Sequence, residues 1–217
     1  MIEKGQYAAE RIVQAAEGAR VIGLIGVEGG EGVSAIARMV CRVLSGADAK
    51  PLLIDVTSLG GHGPKIGESD DLFWPEQEQD QPFAVRIATQ TARTRSAFNS
   101  VAVLRDLWKD EPLAHSRLIM DLPPAIGKLA GRFSPLATAA SCDAIFVVFL
   151  QGRTATHRLE AAISALRGVH ANLIGLVANA RDYRTPIEEM ADSLQGLQTI
   201  APRMAARIHH RLYQSEM

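Results

Sequence analysis

The chain has 217 residues, of which 47% are hydrophobic, and this is enough for one well-buried globular domain. Its formal net charge of −1 excludes a bulk electrostatic attraction to nucleic acid or to an anionic membrane. No apolar run long enough for a membrane span occurs, and the charged residues near the N-terminus lead us to expect no signal peptide. The two cysteines are too few for a disulfide framework or a zinc site. We therefore expect a single cytoplasmic domain over residues 1–217.

The chain begins with a helix over residues 1–19, whose weak apolar stripe predicts that it covers the sheet or, alternatively, contacts a partner. Residues 21–44 then read as a buried strand, a glycine-rich turn and an amphipathic helix. A turn of this kind points several backbone N–H groups and the positive end of a helix at one spot. This geometry is typical of phosphate binding.

The turn departs from the phosphate-binding pattern G-x-x-x-x-G-K-[ST]. Val27 stands at the leading glycine, and Val33 stands at the lysine that reaches the β- and γ-phosphates. Ser34 is kept and would present its hydroxyl to Mg²⁺. Glu28 and Glu31 would repel a triphosphate unless both side chains turn outward. The cofactor-binding residues that we predict in this loop are Gly29, Gly30, Glu31, Gly32, Val33 and Ser34.

Strands and helices alternate along the rest of the chain. The patterns predict strands at residues 51–56, 83–88, 118–121, 144–150, 173–177 and 198–201, and helices at 96–108, 154–169 and 203–213. Residues 57–81 lack an apolar period and include an acidic run, which predicts an irregular surface excursion. The alternation predicts an α/β fold of three layers, like that of P-loop NTPases. Its mostly parallel sheet would have about seven strands, with helices on both faces.

Two of the predicted strands end in an aspartate. Asp55 ends the strand over residues 51–56, and Asp121 ends the strand over residues 118–121. Ligands of open α/β sheets bind at the carboxyl ends of the strands, so a carboxylate there can hold Mg²⁺ or the attacking water. A simple loop cap is the alternative for Asp55. A dinucleotide-binding domain is disfavoured because the last glycine of G-x-G-x-x-G is absent.

Four segments of the chain, in order and spacing, resemble the bacterial tyrosine kinases (BY-kinases). GEGVS at residues 30–34 is similar to their GEGKS loop, and LLIDVT at 52–57 is similar to their LLIDAD motif. MDLPP at 120–124 is similar to their IDTPP, and residues 142–179 resemble the segment that follows it. The wider relatives are the MinD/ParA ATPases, which share the fold and a deviant P-loop.

The resemblance implies a role for each matching position. Ser34, Asp55 and Asp121 would bind Mg²⁺ beside the nucleotide, and Asn179 would lie near the adenine. The implied cofactor is ATP or ADP with Mg²⁺, which we expect to bind weakly or not at all because the loop has lost its lysine.

The departures from the family fall on the catalytic apparatus. Val33 replaces the lysine, Thr57 replaces the second acid of the LLIDAD motif, and Glu28 stands where MinD/ParA relatives carry a lysine. Removing one preorganised contact to a transferring group typically slows a reaction on the order of 100–1,000-fold. We therefore interpret Asp55 and Asp121 as vestigial catalytic residues and expect no efficient kinase or ATPase.

The resemblance implies a catalytically degenerate kinase that regulates synthesis or export of a cell-surface polysaccharide through protein–protein interaction. Its partner would be a membrane-anchored polysaccharide co-polymerase or an active kinase relative that recruits it from the cytoplasm to the inner membrane, and a homo-oligomer is also expected. One alternative is a slow or partner-assisted ATPase or tyrosine kinase of the same pathway, using Lys128 or Arg153. Another is a MinD/ParA-like positioning protein or a cellulose-synthesis accessory protein.

Overall fold

The computed structural model describes residues 2–46, 50–60, 72–73, 82–110, 117–127 and 133–181. The helices in this part of the chain are α1 (Ile2–Ala15), α2 (Val33–Leu44), α3 (Ala92–Phe98), α4 (Val101–Asp110), α5 (Pro135–Ser141) and α6 (Thr156–Gly168). The strands are β1 (Val21–Gly26), β2 (Leu52–Asp55), β3 (Ala84–Ile87), β4 (Leu118–Leu122), β5 (Ala144–Leu150) and β6 (Leu173–Asn179). The predicted strand 198–201, the predicted helix 203–213 and most of the predicted excursion 57–81 lie outside the described residues.

The strands form one sheet in the order β3-β2-β4-β1-β5-β6. β1 lies between β4 and β5 and is parallel to both, and β2 is parallel to β3 and β4. The central strands β1 and β5 are apolar throughout because helices cover both faces of a parallel sheet. The predicted α/β architecture is confirmed, with six strands in the described part of the chain where about seven were predicted.

Each face of the sheet carries its own hydrophobic cluster. One cluster joins one face to α1 and α2, and its fully buried members include Ile22, Leu24, Ile119, Ala37 and Val40. The other joins the opposite face to α3–α6, and its fully buried members include Met120, Val147, Phe98, Leu104 and Leu166. The alternating side chains of each strand supply the two clusters in turn, which fixes the strand register.

The N-terminal helix packs into the molecule rather than standing apart from it. Ala9, Ile12 and Ala16 are buried and belong to the cluster that also contains α2. These residues are part of the predicted apolar stripe, and the helix itself ends at Ala15. The stripe therefore covers the sheet, which was the first of the two predicted roles.

Two helical regions differ from the prediction. The helix predicted at 96–108 consists of two helices, because α3 ends at Phe98 and α4 begins at Val101. α3 also begins earlier, where the Thr91 hydroxyl accepts a hydrogen bond from the Thr94 N–H at 3.0 Å. α5, which begins with Pro135 in its first turn, was not predicted at all.

The chain divides into two compact units. The first, Met1–Phe149 with Arg153–Asn179, contains the helices and the sheet apart from the last residue of β5. Of the second unit, Leu150–Gly152 with Ala180–Met217, the structure describes only residues 150–152 and 180–181. Among the described residues, no helix has both the length and the apolar character needed to cross a bilayer.

Candidate functional site

The glycine-rich loop lies at the centre of the sheet edge where the parallel strands end. It follows β1 at Gly26 and leads into α2 at Val33. The chain leaving β4 is fastened to it, because the N–H of Ala125 donates to the Gly26 carbonyl at 2.8 Å and that of Ile126 donates to Val27 at 3.0 Å. The loop therefore occupies the ligand-binding edge that an open parallel sheet provides.

Three glycines give the loop its turns. Gly29, Gly30 and Gly32 have φ values of 111°, 83° and 82°, a region that side-chain-bearing residues rarely adopt. Gly32 is also closely packed, since a Cβ atom there would lie 2.7 Å from Nδ2 of Asn179. The turn that the sequence predicts is present.

The side chain of Glu31 turns inward and is held by the loop. Its Oε1 accepts hydrogen bonds from the N–H groups of Glu28 at 2.7 Å and Gly29 at 3.0 Å, and its Oε2 accepts from Gly29 at 2.8 Å. Only 3% of the residue is exposed. The condition for admitting a triphosphate, that both loop acids turn outward, is therefore met by only one of them.

That outward-turning acid is Glu28. Its carboxylate forms an ion pair with Nε of Arg158, in the first turn of α6, at 3.2 Å. Both side chains are about half exposed, at 52% for Arg158 and 44% for Glu28, so the pair adds little to stability. Glu28 therefore belongs to the outer surface of the loop.

Val33 packs into the core. It is partly buried against the cluster shared by α1, α2 and the sheet. Its Cγ2 would lie 3.2 Å from a Cβ atom placed on Gly26. The side chain at the lysine position is thus directed at the end of β1 and contributes packing in place of charge.

Asp55 and Asp121, predicted as the metal-binding acids, are brought together by the sheet. They are register partners at the ends of β2 and β4. Asp55 is half-buried, and its Oδ1 accepts hydrogen bonds from the backbone N–H of Thr57 at 2.9 Å and from the Thr57 hydroxyl. Asp55 therefore caps the turn that follows β2, as the alternative prediction for it states, and Thr57, at the position of the second acid of LLIDAD, is the donor.

Asp121 is the most perturbed acid of the site. Burial and, second, the charge of Asp55 raise its pKa from 3.8 to about 7, while a hydrogen bond from Ser34 and the charge of Arg38 partly offset this. Its Oδ1 atom is buried and accepts no hydrogen bond from any described residue. A buried acceptor without a donor is costly, and a cation would satisfy it.

The oxygen set fits Mg²⁺, which prefers one or two carboxylates with further oxygen ligands. Ser34, Asp55 and Asp121 would hold the ion, which when bound supplies positive charge for phosphate oxygens. No group of three or more His, Cys, Asp or Glu side chains suited to a metal occurs in the described ranges. The site would therefore need water or ligand oxygens to complete the coordination.

The loop, in contrast, does not fit a triphosphate as it stands. The lysine position holds an apolar side chain, and two loop N–H groups are taken by the carboxylate of Glu31. An anion entering here would meet that carboxylate at close range.

Asn179 lies against the loop, where its Nδ2 donates a hydrogen bond to the carbonyl oxygen of Glu31 at 2.8 Å. The family resemblance implies that this residue lies near an adenine, and that role stays a prediction. The sequence interpretation missed Arg38 and Arg158. Arg38 had a signal, because it lies four residues after Ser34 and so on the same side of α2.

Neither a protein-family model nor a curated protein matches this chain. Solved structures do match. The kinase domain of the Escherichia coli tyrosine kinase ETK is 15% identical with a TM-score of 0.58, and the match covers 76% of this chain and 70% of that one. The chimerical protein CapA2B2 is 15% identical with a TM-score of 0.61 over 82% and 83% of the two chains.

A third similar structure is cobyrinic acid a,c-diamide synthase from Mycobacterium smegmatis with a bound ATP analogue and magnesium. It is 17% identical with a TM-score of 0.57, and the match covers 83% of this chain and 82% of that one. The neighbours thus include a tyrosine kinase domain and a synthase with a bound ATP analogue, which agrees with the resemblance of the sequence motifs. At these identities the likeness shows a common fold.

Proposed function

We propose that this chain is a catalytically degenerate relative of the bacterial tyrosine kinases that regulates other proteins by binding them. The fold it shares with kinase domains supports the family. The observation that supports the loss of catalysis is the packing of Val33. Its apolar side chain packs against the core at the position of the phosphate-binding lysine.

The position of Val33 matters because phosphoryl transfer is catalysed mainly by positioning and by neutralising charge. A partly buried valine supplies neither. A residue elsewhere would have to replace it, and Arg153, named above for this role, is exposed in the turn after β5. Lys128 lies outside the described residues.

The resemblance of the sequence motifs to the bacterial tyrosine kinases supports the process and the partner that we propose. We propose that the chain acts in synthesis or export of a cell-surface polysaccharide, in contact with a membrane-anchored co-polymerase or an active kinase. It would be cytoplasmic and reach the inner membrane through that partner. Fractionating cells with and without a candidate co-polymerase tests this, since the chain should leave the membrane fraction when its partner is deleted.

The loss of catalysis is tested by measuring phosphoryl transfer and ATP hydrolysis with the purified chain and Mg²⁺. We expect no turnover above that of the matched variant Asp121→Ala. Isothermal titration with ATP and ADP, with and without Mg²⁺, would separate a nucleotide-binding regulator from one that binds none. Turnover that is abolished by Asp121→Ala would overturn the proposal.

A slow or partner-assisted ATPase is the second candidate, and it is favoured by the retained oxygen cluster of Ser34, Asp55 and Asp121. Within that cluster, Oδ1 of Asp121 is buried and has no hydrogen-bond donor among the described residues, and a bound cation would supply the missing partner. Adding a candidate partner to the hydrolysis assay distinguishes the two functions, because only the second predicts turnover that depends on both the partner and Asp121.

A further inference from the structure

We propose that the loop is an anion-binding site that the protein fills with its own Glu31 carboxylate. A phosphate-bearing ligand would reach the N–H groups of Glu28 and Gly29 only by displacing that carboxylate. The inference concerns regulation of the site described above, and its biological meaning rests on the proposed function.

The hydrogen bonds are the first support. The two oxygens of Glu31 make three contacts of 2.7–3.0 Å with the backbone N–H groups of Glu28 and Gly29. Successive N–H groups that converge in a glycine-rich turn form the kind of concavity that binds phosphate. The carboxylate has the same charge sign and the same acceptor chemistry as a phosphate oxygen pair.

The burial of the carboxylate is the second support. Glu31 is 3% exposed although Glu28, Gly29 and Gly30 around it are exposed. Among the described residues, no lysine, arginine or histidine pairs with it. The loop N–H groups are therefore the groups that compensate a buried negative charge, which is the task they would perform for a bound anion.

The space for the carboxylate is built into the strand. A Cβ atom on Gly26 would lie 2.5 Å from Oε2 and 3.3 Å from the carboxyl carbon of Glu31. Only glycine at the end of β1 lets the carboxylate approach the backbone so closely. Gly26 thus provides the space that the Glu31 carboxylate occupies.

The backbone of Glu31 is held as well. Nδ2 of Asn179 donates to its carbonyl oxygen at 2.8 Å, and the same amide packs against Gly32. Glu31 is therefore fixed at its carboxylate by the loop and at its peptide by the end of β6. Displacing the side chain breaks only the first set of contacts, so the loop can admit another anion without losing its anchor.

The test compares Glu31→Gln with Glu28→Gln by isothermal titration of the full chain with inorganic pyrophosphate. Both variants remove one negative charge from the same loop, but only the first removes it from the N–H groups. We expect Glu31→Gln to bind pyrophosphate at least about tenfold more tightly than the natural chain, because a charge-assisted hydrogen bond no longer has to be broken. Glu28→Gln should change the affinity by less than about threefold, as for an exposed charge.

Equal affinities of Glu31→Gln and the natural chain would overturn the inference, and so would an equal gain in both variants. If Glu31→Gln does not fold, nuclear magnetic resonance of the natural chain tests whether pyrophosphate displaces the Glu31 carboxylate. Saturating pyrophosphate should shift the amide signals of Glu28 and Gly29 together with the carboxyl carbon of Glu31, and unchanged signals would contradict displacement. Hydrolysis of ATP by the natural chain would overturn the proposed function and leave this result intact.

Discussion

Asp55 and Asp121 lie side by side as register partners on β2 and β4, so the sheet holds two carboxyl groups next to each other at its ligand-binding edge. Asp121 is the buried member, and burial followed by the charge of Asp55 raises its pKa from 3.8 to about 7. A negative charge on Asp121 therefore destabilises the folded chain, and a bound proton or cation would remove this destabilisation. Two predictions follow from this relationship.

The first prediction concerns pH. A folded-state pKa above the unfolded value means that the native chain binds the proton more tightly, so stability falls as pH rises from about 4 to about 7. Asp121→Asn removes this cost and should be more stable than the natural chain by roughly 1–4 kcal/mol above about pH 7. The difference should shrink towards about pH 4, as measured by denaturant unfolding.

The exposed Asp106, whose side chain is 73% accessible, provides the control. Asp106→Asn should leave the pH dependence of unfolding unchanged. If the stability difference between Asp121→Asn and the natural chain were constant across the pH range, the Asp121 carboxyl group would not be the source of the pH-dependent stability.

The second prediction concerns Mg²⁺. At about pH 8, above the raised pKa of Asp121, a divalent cation should raise the free energy of unfolding because it offsets the negative charge of Asp121 and satisfies its Oδ1 atom. The rise should be lost in Asp121→Asn and reversed by a chelator. Equal stabilisation of both proteins by Mg²⁺ would place the cation elsewhere.

The third prediction separates backbone strain from packing in the loop. Gly30 and Gly32 have nearly the same φ, at 83° and 82°, but a Cβ atom on Gly30 meets nothing within 4 Å while one on Gly32 meets Asn179. Gly30→Ala should cost about 1–2 kcal/mol from strain alone, and Gly32→Ala should cost about 1 kcal/mol more because it also displaces a hydrogen bond. Thermal unfolding measures both.

Asn179→Ala supplies the matching double-mutant cycle. In its background, the extra cost of Gly32→Ala over Gly30→Ala should disappear, because the amide that the new methyl group would meet is gone. If Gly32→Ala still costs more than Gly30→Ala in the Asn179→Ala background, the extra cost arises at the N-terminus of α2 and not from the contact with Asn179.

The fourth prediction concerns the lysine position. Val33→Lys should raise ATP affinity little when it is made alone, because the carboxylate of Glu31 still holds the loop N–H groups. The double variant with Glu31→Gln should bind ATP more tightly than the product of the two separate gains in affinity predicts. We expect this excess to be about tenfold or more. Val33→Met, which is uncharged, is the control. Simple additivity in isothermal titration would contradict the coupling.

The fifth prediction concerns Phe73, which lies in the stretch predicted to be an irregular excursion. Its ring contacts Phe98 edge to face, with centroids 5.9 Å apart, and Phe73 forms an isolated antiparallel bridge with Ala88. Phe73→Ala should therefore destabilise the chain by about 1–3 kcal/mol. Tyr7→Ala, at a side chain that is 64% exposed, should cost less than about 0.5 kcal/mol. Similar losses in both variants would argue against the packing of Phe73.

The sequence was sufficient to predict the strands of the central sheet because their apolar runs have few alternatives. β5 was predicted at the residues where it occurs, and the aspartates of β2 and β4 meet as the topology requires. The break between α3 and α4 was missed although Asn99 and Ser100, which lie between the two helices, are residue types that favour helix caps and turns. α5 was missed although Ser134 before Pro135 is a typical helix start.

The direction of the two loop acids could not be predicted in the same way. Glu28 and Glu31 have the same side chain and lie three residues apart, yet one pairs with Arg158 and the other turns onto the loop backbone. Their directions depend on the left-handed conformations of Gly29 and Gly30 between them, which the sequence permits but does not dictate.

The attachment of the loop to the middle of the sheet means that the shape of the loop does not rest on the side chain at residue 33. Gly26 and Val27 accept hydrogen bonds from the segment that leaves β4, and β1 is paired on both sides. The scaffold of the loop is thus supplied by neighbouring backbone and does not depend on the side chain of a catalytic lysine. A substitution at residue 33 would therefore change the packing at the end of β1, while the backbone hydrogen bonds that hold the loop stay in place.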